Sequence, residues 1–413
     1  MSLSATPTRR RLLFGALYFS EGAPIGFIWW ALPTVMAAKG ATVDRITAFV
    51  SLLVFPWALK FLWAPLIDAM RGPRWGHRAW ILSAQFVMGI TLLPMMFLDI
   101  TNDMTIVFAL LLVHAFAATV QDVAIDAWAI AVTPKVEHGR INAAMATGKY
   151  VGRWLFGAGL LIVWNHLSRE VVFATLAASI WVTSLLVIFS EDIKEQGASL
   201  RVRFGQFGRS LRAAATHRNT WLGVMIALIS GAGFEALGAM LGPMMVEAGH
   251  TTEAIGWWRT AWVGAMIAGA WLGGIVSDRL GHRRSVVAFL VLLTLFVAIV
   301  GLVQAYTGDI NLLPWSVTLA YFGMGLFLAT SYALFMDLTD PRIGGTQFST
   351  FMGATNGCEA WAGAAGGRLA AGLGYAPAIL IMAGVSLLSL PLLLLLGKGD
   401  ETRSEAVSSP RDD

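Results

Sequence analysis

Cysteine is almost missing from this chain. Cys358 is the single thiol in 413 residues, which excludes an internal disulfide framework and a thiolate metal site. Histidine is sparse as well, with seven residues and no metal-ligand spacing among them. Charge is scarce: Asp, Glu, Lys and Arg make up 13% of the chain, about half the share in an ordinary soluble domain. A nucleotide loop is lacking too. Gly148-Lys149-Tyr150 has neither the Gly five residues before it nor the Ser/Thr after it that a phosphate loop requires. Gly231-x-Gly233-x-x-Ala236 lies in an apolar run without the strand–helix–strand setting of a dinucleotide site. No nucleophile–base set converges anywhere. The sequence therefore offers no enzyme chemistry, no cofactor site, no metal site and no ATP-driven engine, and any transport must draw on a gradient.

What the chain has in excess is apolar length. Hydrophobic residues make up 57% and mean hydropathy is +0.68. Runs of about 20 apolar residues, each long enough to cross a hydrocarbon core of about 30 Å, recur from end to end. The spacing predicts an all-α membrane protein with twelve spans, at 12–36, 46–70, 79–98, 104–132, 141–165, 170–190, 219–246, 254–278, 285–306, 312–337, 345–370 and 375–397. Residues 1–190 and 219–397 read as two pseudo-symmetric six-helix bundles, 191–218 as a cytoplasmic linker rich in Arg, and 398–413 as a disordered cytoplasmic tail. Seventeen Trp and 43 Gly suit interfacial anchoring and close helix approach. The net charge of +4 is a matter of topology rather than nucleic-acid binding, because the bases fall in alternate loops. That asymmetry puts both termini in the cytoplasm. Arg9-Arg10-Arg11 does not read as a signal peptide, since Glu21 interrupts the apolar run and no small-residue cleavage site follows.

The halves repeat one another at a separation of about 210 residues. Ala64-Pro65-Leu66-Ile67-Asp68 leads to Gly76-His77-Arg78, and Gly274-Ile275-Val276-Ser277-Asp278 leads through Arg279 to Gly281-His282-Arg283-Arg284. Leu32-Pro33 is echoed by Gly242-Pro243, and Gly148-x-x-x-Gly152 by Gly353-x-x-x-Gly357. The glycine pairs read as small-residue faces for helix contact. Each Asp closes a span and each Arg group follows a tight turn, so Asp68, Arg78, Asp278, Arg279, Arg283 and Arg284 are the candidate cytoplasmic gate.

Ionisable residues inside spans are costly and should face the bundle interior or a water-filled cavity. Lys60, Lys149, Arg153, Arg259 and Arg368 are the bases at such positions; Glu21, Asp122, Asp126, Glu235 and Glu359 are the acids. At 1.5 Å per residue, Glu21, Lys60, Asp122, Lys149 and Arg153 fall at overlapping depths near the midplane. Asp122 and Asp126 share one helix face, as do Lys149 and Arg153. Two readings stand: a structural ion-pair ladder between spans 4 and 5, or a carboxylate that exchanges protons beside a base that contacts an anionic solute. Glu21, Glu235 and Glu359 have no partner evident from sequence and are candidate proton-coupling or substrate residues. Trp128, Trp154 and Trp361 lie beside charged positions and are candidates for stacking on a solute; Trp29, Trp30, Trp257 and Trp258 read as belt or packing residues.

The paired turns, the twelve spans and the central loop resemble the major facilitator superfamily over nearly the whole chain. A narrower likeness lies in Leu59-Lys60-Phe61-Leu62-Trp63-Ala64-Pro65-Leu66-Ile67-Asp68, Gln121-Asp122-Val123-Ala124-Ile125-Asp126-Ala127-Trp128 and Thr346-Gln347-Phe348, which look like signatures of AmpG-like permeases of the peptide/acetyl-coenzyme A transporter group. Asp340-Pro341-Arg342-Ile343-Gly344-Gly345-Thr346 is similar to a stretch of the acetyl-CoA carriers in that group. The resemblance implies alternating access and proton-linked movement of a fairly large polar solute through a bacterial inner membrane. It does not choose among a muropeptide, a siderophore and an acyl-CoA; a muropeptide is the first expectation, although the chain lacks the extra C-terminal spans of the longer muropeptide permeases, and the resemblance points to Lys60, Asp122 and Asp126. The expected partners are that solute, protons and the bilayer, with the chain acting as a monomer. A membrane sensor that kept the fold without transporting is the reading of another class.

Overall fold

The computed structural model describes residues 6–60, 75–100, 102–134, 138–190, 215–307, 310–339 and 344–396, with isolated positions at 62, 63, 67 and within 202–213. The first half comprises α1 (Pro7–Ala38), α2 (Val43–Ala58), α3 (His77–Leu92), α4 (Met104–Val132), α5 (His138–Trp154, continued by Leu155–Gly159 and Leu160–Val163) and α6 (Arg169–Ile188). The second comprises α7 (Arg218–Glu247), α8 (Thr252–Leu280), α9 (His282–Tyr306), α10 (Leu312–Asp337), α11 (Gly344–Leu373) and α12 (Tyr375–Leu395). No strand forms among the described residues. Nine of these helices are long and apolar enough to cross a membrane by length and composition. Of the other three, α5 and α11 include cavity-lining polar residues, which lowers their hydropathy, and α2 is apolar but described over only 16 residues.

Local chemistry sets the boundaries. Thr6 caps α1, with Pro7 at the first turn where a missing N–H costs nothing. Thr251 accepts from the Ala254 N–H at 3.1 Å to start α8. Gly40 and Gly249 follow the first helix of each half at φ of +85° and +91°, a backbone region open mainly to glycine, and so turn the chain back at matching places.

Helix pairings repeat between the halves. α1 packs on α5 as α7 packs on α11, α2 on α4 as α8 on α10, and α3 on α6 as α9 on α12. α2 meets α11 and α5 meets α8 across the middle. The tight cross-half contacts pair Gly242 with Thr34, Gly256 with Ala158, Gly363 with Ser51 and Gly367 with Thr47. All lie toward the end of the molecule bearing turns 39–42 and 248–251, so the halves are pinched together there.

The α1–α5 contact is the tightest within the first half. A Cβ on Gly148 would sit 1.9 Å from the Gly15 carbonyl oxygen, one on Gly22 2.1 Å from that of Lys149, and one on Gly26 2.2 Å from that of Arg153. Backbone thus lies on backbone along the seam. Gly148 and Gly152 act as the sequence pattern suggests, Gly152 meeting Phe19 and Ala23. Gly357, the echo of Gly152, behaves otherwise and meets only a Leu228 side-chain methyl, at 3.1 Å.

Both helices of this seam carry a π-helical turn, Phe27–Ala31 in α1 and Leu155–Gly159 in α5, and the two turns touch. In α1 the cause is legible. Pro33 has no N–H to donate to the preceding turn, and the chain widens ahead of it. The Thr34 hydroxyl donates back to the Trp30 carbonyl at 2.9 Å. The widening re-aims Trp29 and Trp30 toward the molecular axis, where they line a cavity.

Candidate functional site

Between the halves lies a cavity of about 450 Å³. The first half contributes Tyr18, Trp29 and Trp30 from α1, Trp57 and Lys60 at the end of α2, Asp122 and Asp126 from α4, and Lys149, Tyr150 and Arg153 from α5. The second contributes Glu235 from α7, Tyr321 and Tyr332 from α10, and Asn356 and Glu359 from α11. Of the charged residues inside spans, Lys60, Asp122, Asp126, Lys149, Arg153, Glu235 and Glu359 line the cavity, Glu21 lies fully buried behind Lys149, and Arg259 is buried outside the lining; Arg368, near the end of its helix, is exposed instead of facing the interior.

The pairing differs from the expected ladder. α5 packs on α1 rather than on α4, because the glycine seam lets those two backbones meet. Lys149 donates to Glu21 Oε1 at 2.7 Å, so Glu21 does have a partner. Lys60 Nζ faces Asp122 Oδ2 at 3.6 Å, and Asp122 is nearly inaccessible. The Tyr18 hydroxyl donates to Asp126 and reaches Asp122 at 3.4 Å. Lys149 also sits 5.5 Å from the Tyr18 ring centroid, joining the two carboxylate groups through one aromatic. Glu21 Oε2 is buried with no hydrogen-bond partner. The result is a connected set of acids and bases in a low-dielectric wall, where each charge depends on its neighbours.

Arg153 makes no ion pair among the described residues. Its guanidinium lies 4.9 Å from the Trp29 ring centroid and 5.7 Å from that of Trp30. Glu235 and Glu359, across the cavity, likewise have no ion-pair partner among the described residues. Asn356 ties the halves, donating to the Trp57 carbonyl at 3.2 Å.

The stacking candidates lie elsewhere. Trp128 is fully buried edge-on to Phe14. Trp154 donates to Thr260 Oγ1 at 3.0 Å and Trp361 to the Leu228 carbonyl at 2.8 Å. None of the three lines the cavity. Trp29, Trp30 and Trp57 do, and the signal that could have found the first two was a tandem Trp three residues before a proline.

Asp68 and the side chain of Asp278 lie outside the described residues, as do the linker over 191–201 and the tail. The neighbouring bases act within their own halves. Arg78 Nη2 donates to the Ile188 carbonyl at the end of α6, at 2.7 Å. Arg283 donates to Leu393 and Leu394 carbonyls at the end of α12, at 3.1 and 2.8 Å. In each half the first Arg after the Gly-His turn thus supports the C-terminus of that half's last helix, where unsatisfied carbonyls attract cations. His282 pairs with Asp337 at 2.5 Å, while Arg279 and Arg284 are exposed.

Comparison with known proteins follows the same lines. The Major Facilitator Superfamily model matches residues 223–412, and the model for Acetyl-coenzyme A transporter 1 matches 11–104. The anhydromuropeptide permease of Escherichia coli K12 is 27% identical over 304 residues, 66% of this chain and 56% of that protein. The match thus spans little more than half of that permease's length. The putative transporter AmpG 3 of Rickettsia typhi is 25% identical over 82% of this chain and 83% of its own. Among solved structures, a bacterial homologue of the human lysosomal transporter Spinster in an inward-facing, unoccupied conformation superposes with a TM-score of 0.71 at 14% identity, covering 96% of this chain and 98% of that one. The D-xylose–proton symporter gives 0.70 at 11% identity, over 94% and 96%. At such identities the likeness is one of fold. Helix order and fold are like those of the major facilitator superfamily, whose model matches the second half, and the chain is similar in sequence to the AmpG permeases.

Proposed function

We propose that the chain is a proton-coupled importer that moves a large polar solute, an anhydro-muropeptide first, across the bacterial inner membrane by alternating access. The observation that carries this reading is the network of Glu21, Lys149, Tyr18, Asp126, Asp122 and Lys60 on one wall of a cavity between two similarly packed halves. A proton placed on Asp126 or Glu21 weakens its hold on Tyr18 or Lys149. The wall then carries a different charge, and the cost of moving one half against the other changes. The pinched end, with the base asymmetry of the loops, favours a cavity that faces the cytoplasm in this conformation. Rocking the halves about the cavity would open the pinched end. All network residues belong to one chain, so a monomer suffices.

The likeness to the Escherichia coli permease supports the solute class. A cavity of about 450 Å³ lined by Trp29, Trp57 and Asn356 suits a sugar ring with a peptide attached. An acyl-CoA is the second reading, favoured by the match of residues 11–104 to an acetyl-coenzyme A transporter model. Uptake into proteoliposomes separates these readings, using anhydro-muropeptide, acetyl-CoA and a ferric siderophore with and without an inward pH gradient. Gradient-dependent accumulation of the anhydro-muropeptide alone is the expected result. Accumulation of another of the three reassigns the solute, uptake indifferent to the gradient removes the coupling, and no uptake of any favours a sensor.

A further inference from the structure

A second cluster of charge lies at the cavity wall nearer the pinched end, and the network above does not use it. Arg259 of α8 is 2% exposed, and its Nε and Nη2 have no hydrogen-bond partner. Its guanidinium lies 5.7 Å from the Trp30 ring centroid, the same distance as that of Arg153 from the other half. Arg259 also interacts with the hydroxyl of Tyr321, a cavity-lining residue. Arg153 Nε is buried without a partner as well. Neither guanidinium has a carboxylate in ion-pair range among the described residues; Glu235 and Glu359 face Arg153 only across the cavity.

Two guanidinium groups against one ring, both short of acceptors, make a costly arrangement on their own. Cation–π contact with Trp30 offsets part of that cost and fixes both planes. What remains unmet is negative charge. Cavity-facing Arg153 offers a planar fork of donors suited to a carboxylate or a phosphoryl group. Tyr321 can donate its hydroxyl proton to the same group while Arg259 polarises the phenol oxygen from behind.

We infer that Arg153, Tyr321 and Arg259, arranged around Trp30, form an anion subsite that takes a carboxylate of the solute and, in doing so, bridges the two halves. Arg153 belongs to the first half, and Tyr321 and Arg259 to the second, so a bound anion adds an attractive contact that exists only while the pinched end is closed. The inference rests on the transport reading but not on the choice of solute.

The test is a titration of the purified full-length protein in detergent, at constant ionic strength, with glutarate and with inorganic phosphate, read by intrinsic tryptophan fluorescence. Saturable quenching by glutarate is expected. Arg153→Gln should raise its Kd at least about 30-fold and Arg259→Gln about 10-fold, the sizes of one direct and one relayed charge-assisted contact. Tyr321→Phe should raise it several-fold, and Arg259→Lys should restore only part of the loss because the ammonium lacks the fork. Saturation by phosphate instead would assign the subsite to a phosphoryl group. No saturable response to either probe, or identical curves in wild type and in properly folded Arg153→Gln and Arg259→Lys proteins, would overturn the proposal. Failure of anhydro-muropeptide uptake alongside a positive titration would leave the subsite standing and remove only the solute.

Discussion

The two halves of the cavity wall are built to the same helix plan and carry different chemistry. In the first half, acids and bases interlock: Glu21 with Lys149, Asp122 with Lys60, and Tyr18 with both aspartates. In the second, Glu235 and Glu359 face the cavity without ion-pair partners among the described residues, beside Tyr321, Tyr332 and Asn356. The repeat therefore extends to where helices cross and not to what they display. An interlocked wall responds to one proton by rearranging several contacts. A wall of isolated polar groups responds locally and is suited to meeting solutes. On the proposed reading the first half does the switching, and recognition is shared, with Arg153 and Trp29 from the first half and Tyr321 and Asn356 from the second.

The sharpest way to break the comparison is at its glycines. Gly148→Val places a methyl-bearing carbon 1.9 Å from the Gly15 oxygen and forces the α1–α5 seam apart; we expect loss of about 3 kcal/mol or more and little monodisperse protein. Gly357→Val, in the echoing glycine pair at the place of Gly152, meets only the far end of the Leu228 side chain and should change stability by less than about 1 kcal/mol. Thermal unfolding in detergent reads both, and equal losses would refute the asymmetry. Charge removal comes next. Lys149→Ala strands Glu21 in the wall and should cost about 3 kcal/mol, with Glu21→Gln added to it recovering most of the loss. Glu235→Gln strands nothing and should leave the melting temperature nearly unchanged. A smaller effect is expected at the cavity mouth. Lys60→Ala should raise the KM for an anionic solute roughly tenfold, and an unchanged KM in initial-rate uptake would make Lys60 purely a partner of Asp122. Smallest are the tryptophans. Trp29→Ala should raise KM several-fold through lost stacking, whereas Trp361→Phe, which loses one hydrogen bond outside the cavity, should stay within about twofold.

Much of this was legible in the sequence, and the misses have physical causes. Apolar length dictates a membrane helix bundle, because a bilayer leaves few other solutions for a backbone. The cost of burying charge pointed to Lys60, Asp122, Asp126, Lys149, Arg153, Glu235 and Glu359, all of which line the cavity. Partner choice was not legible. Adjacency in sequence pairs α4 with α5, yet the seam of Gly15, Gly22, Gly26, Gly148 and Gly152 draws α5 onto α1 and hands Lys149 to Glu21. Gly22 and Gly26 were present to be read, but a glycine spacing does not name its partner helix. The placement of the tryptophans has a related cause. Position in a span suggests belt or cavity only if the helix is regular, and the π-helical turn ahead of Pro33 rotates Trp29 and Trp30 inward. Arg259 was visible as a buried base, but its relation to Trp30 exists only in the packed structure.

The central claim is that the first half's interlocked wall couples protons to solute movement. It is tested most directly by comparing Glu21→Gln and Asp126→Asn with wild type in proteoliposomes, measuring accumulation of anhydro-muropeptide under an inward pH gradient and solute exchange with no gradient. Both variants are expected to lose gradient-driven accumulation while retaining exchange; full accumulation in both would contradict coupling through this wall.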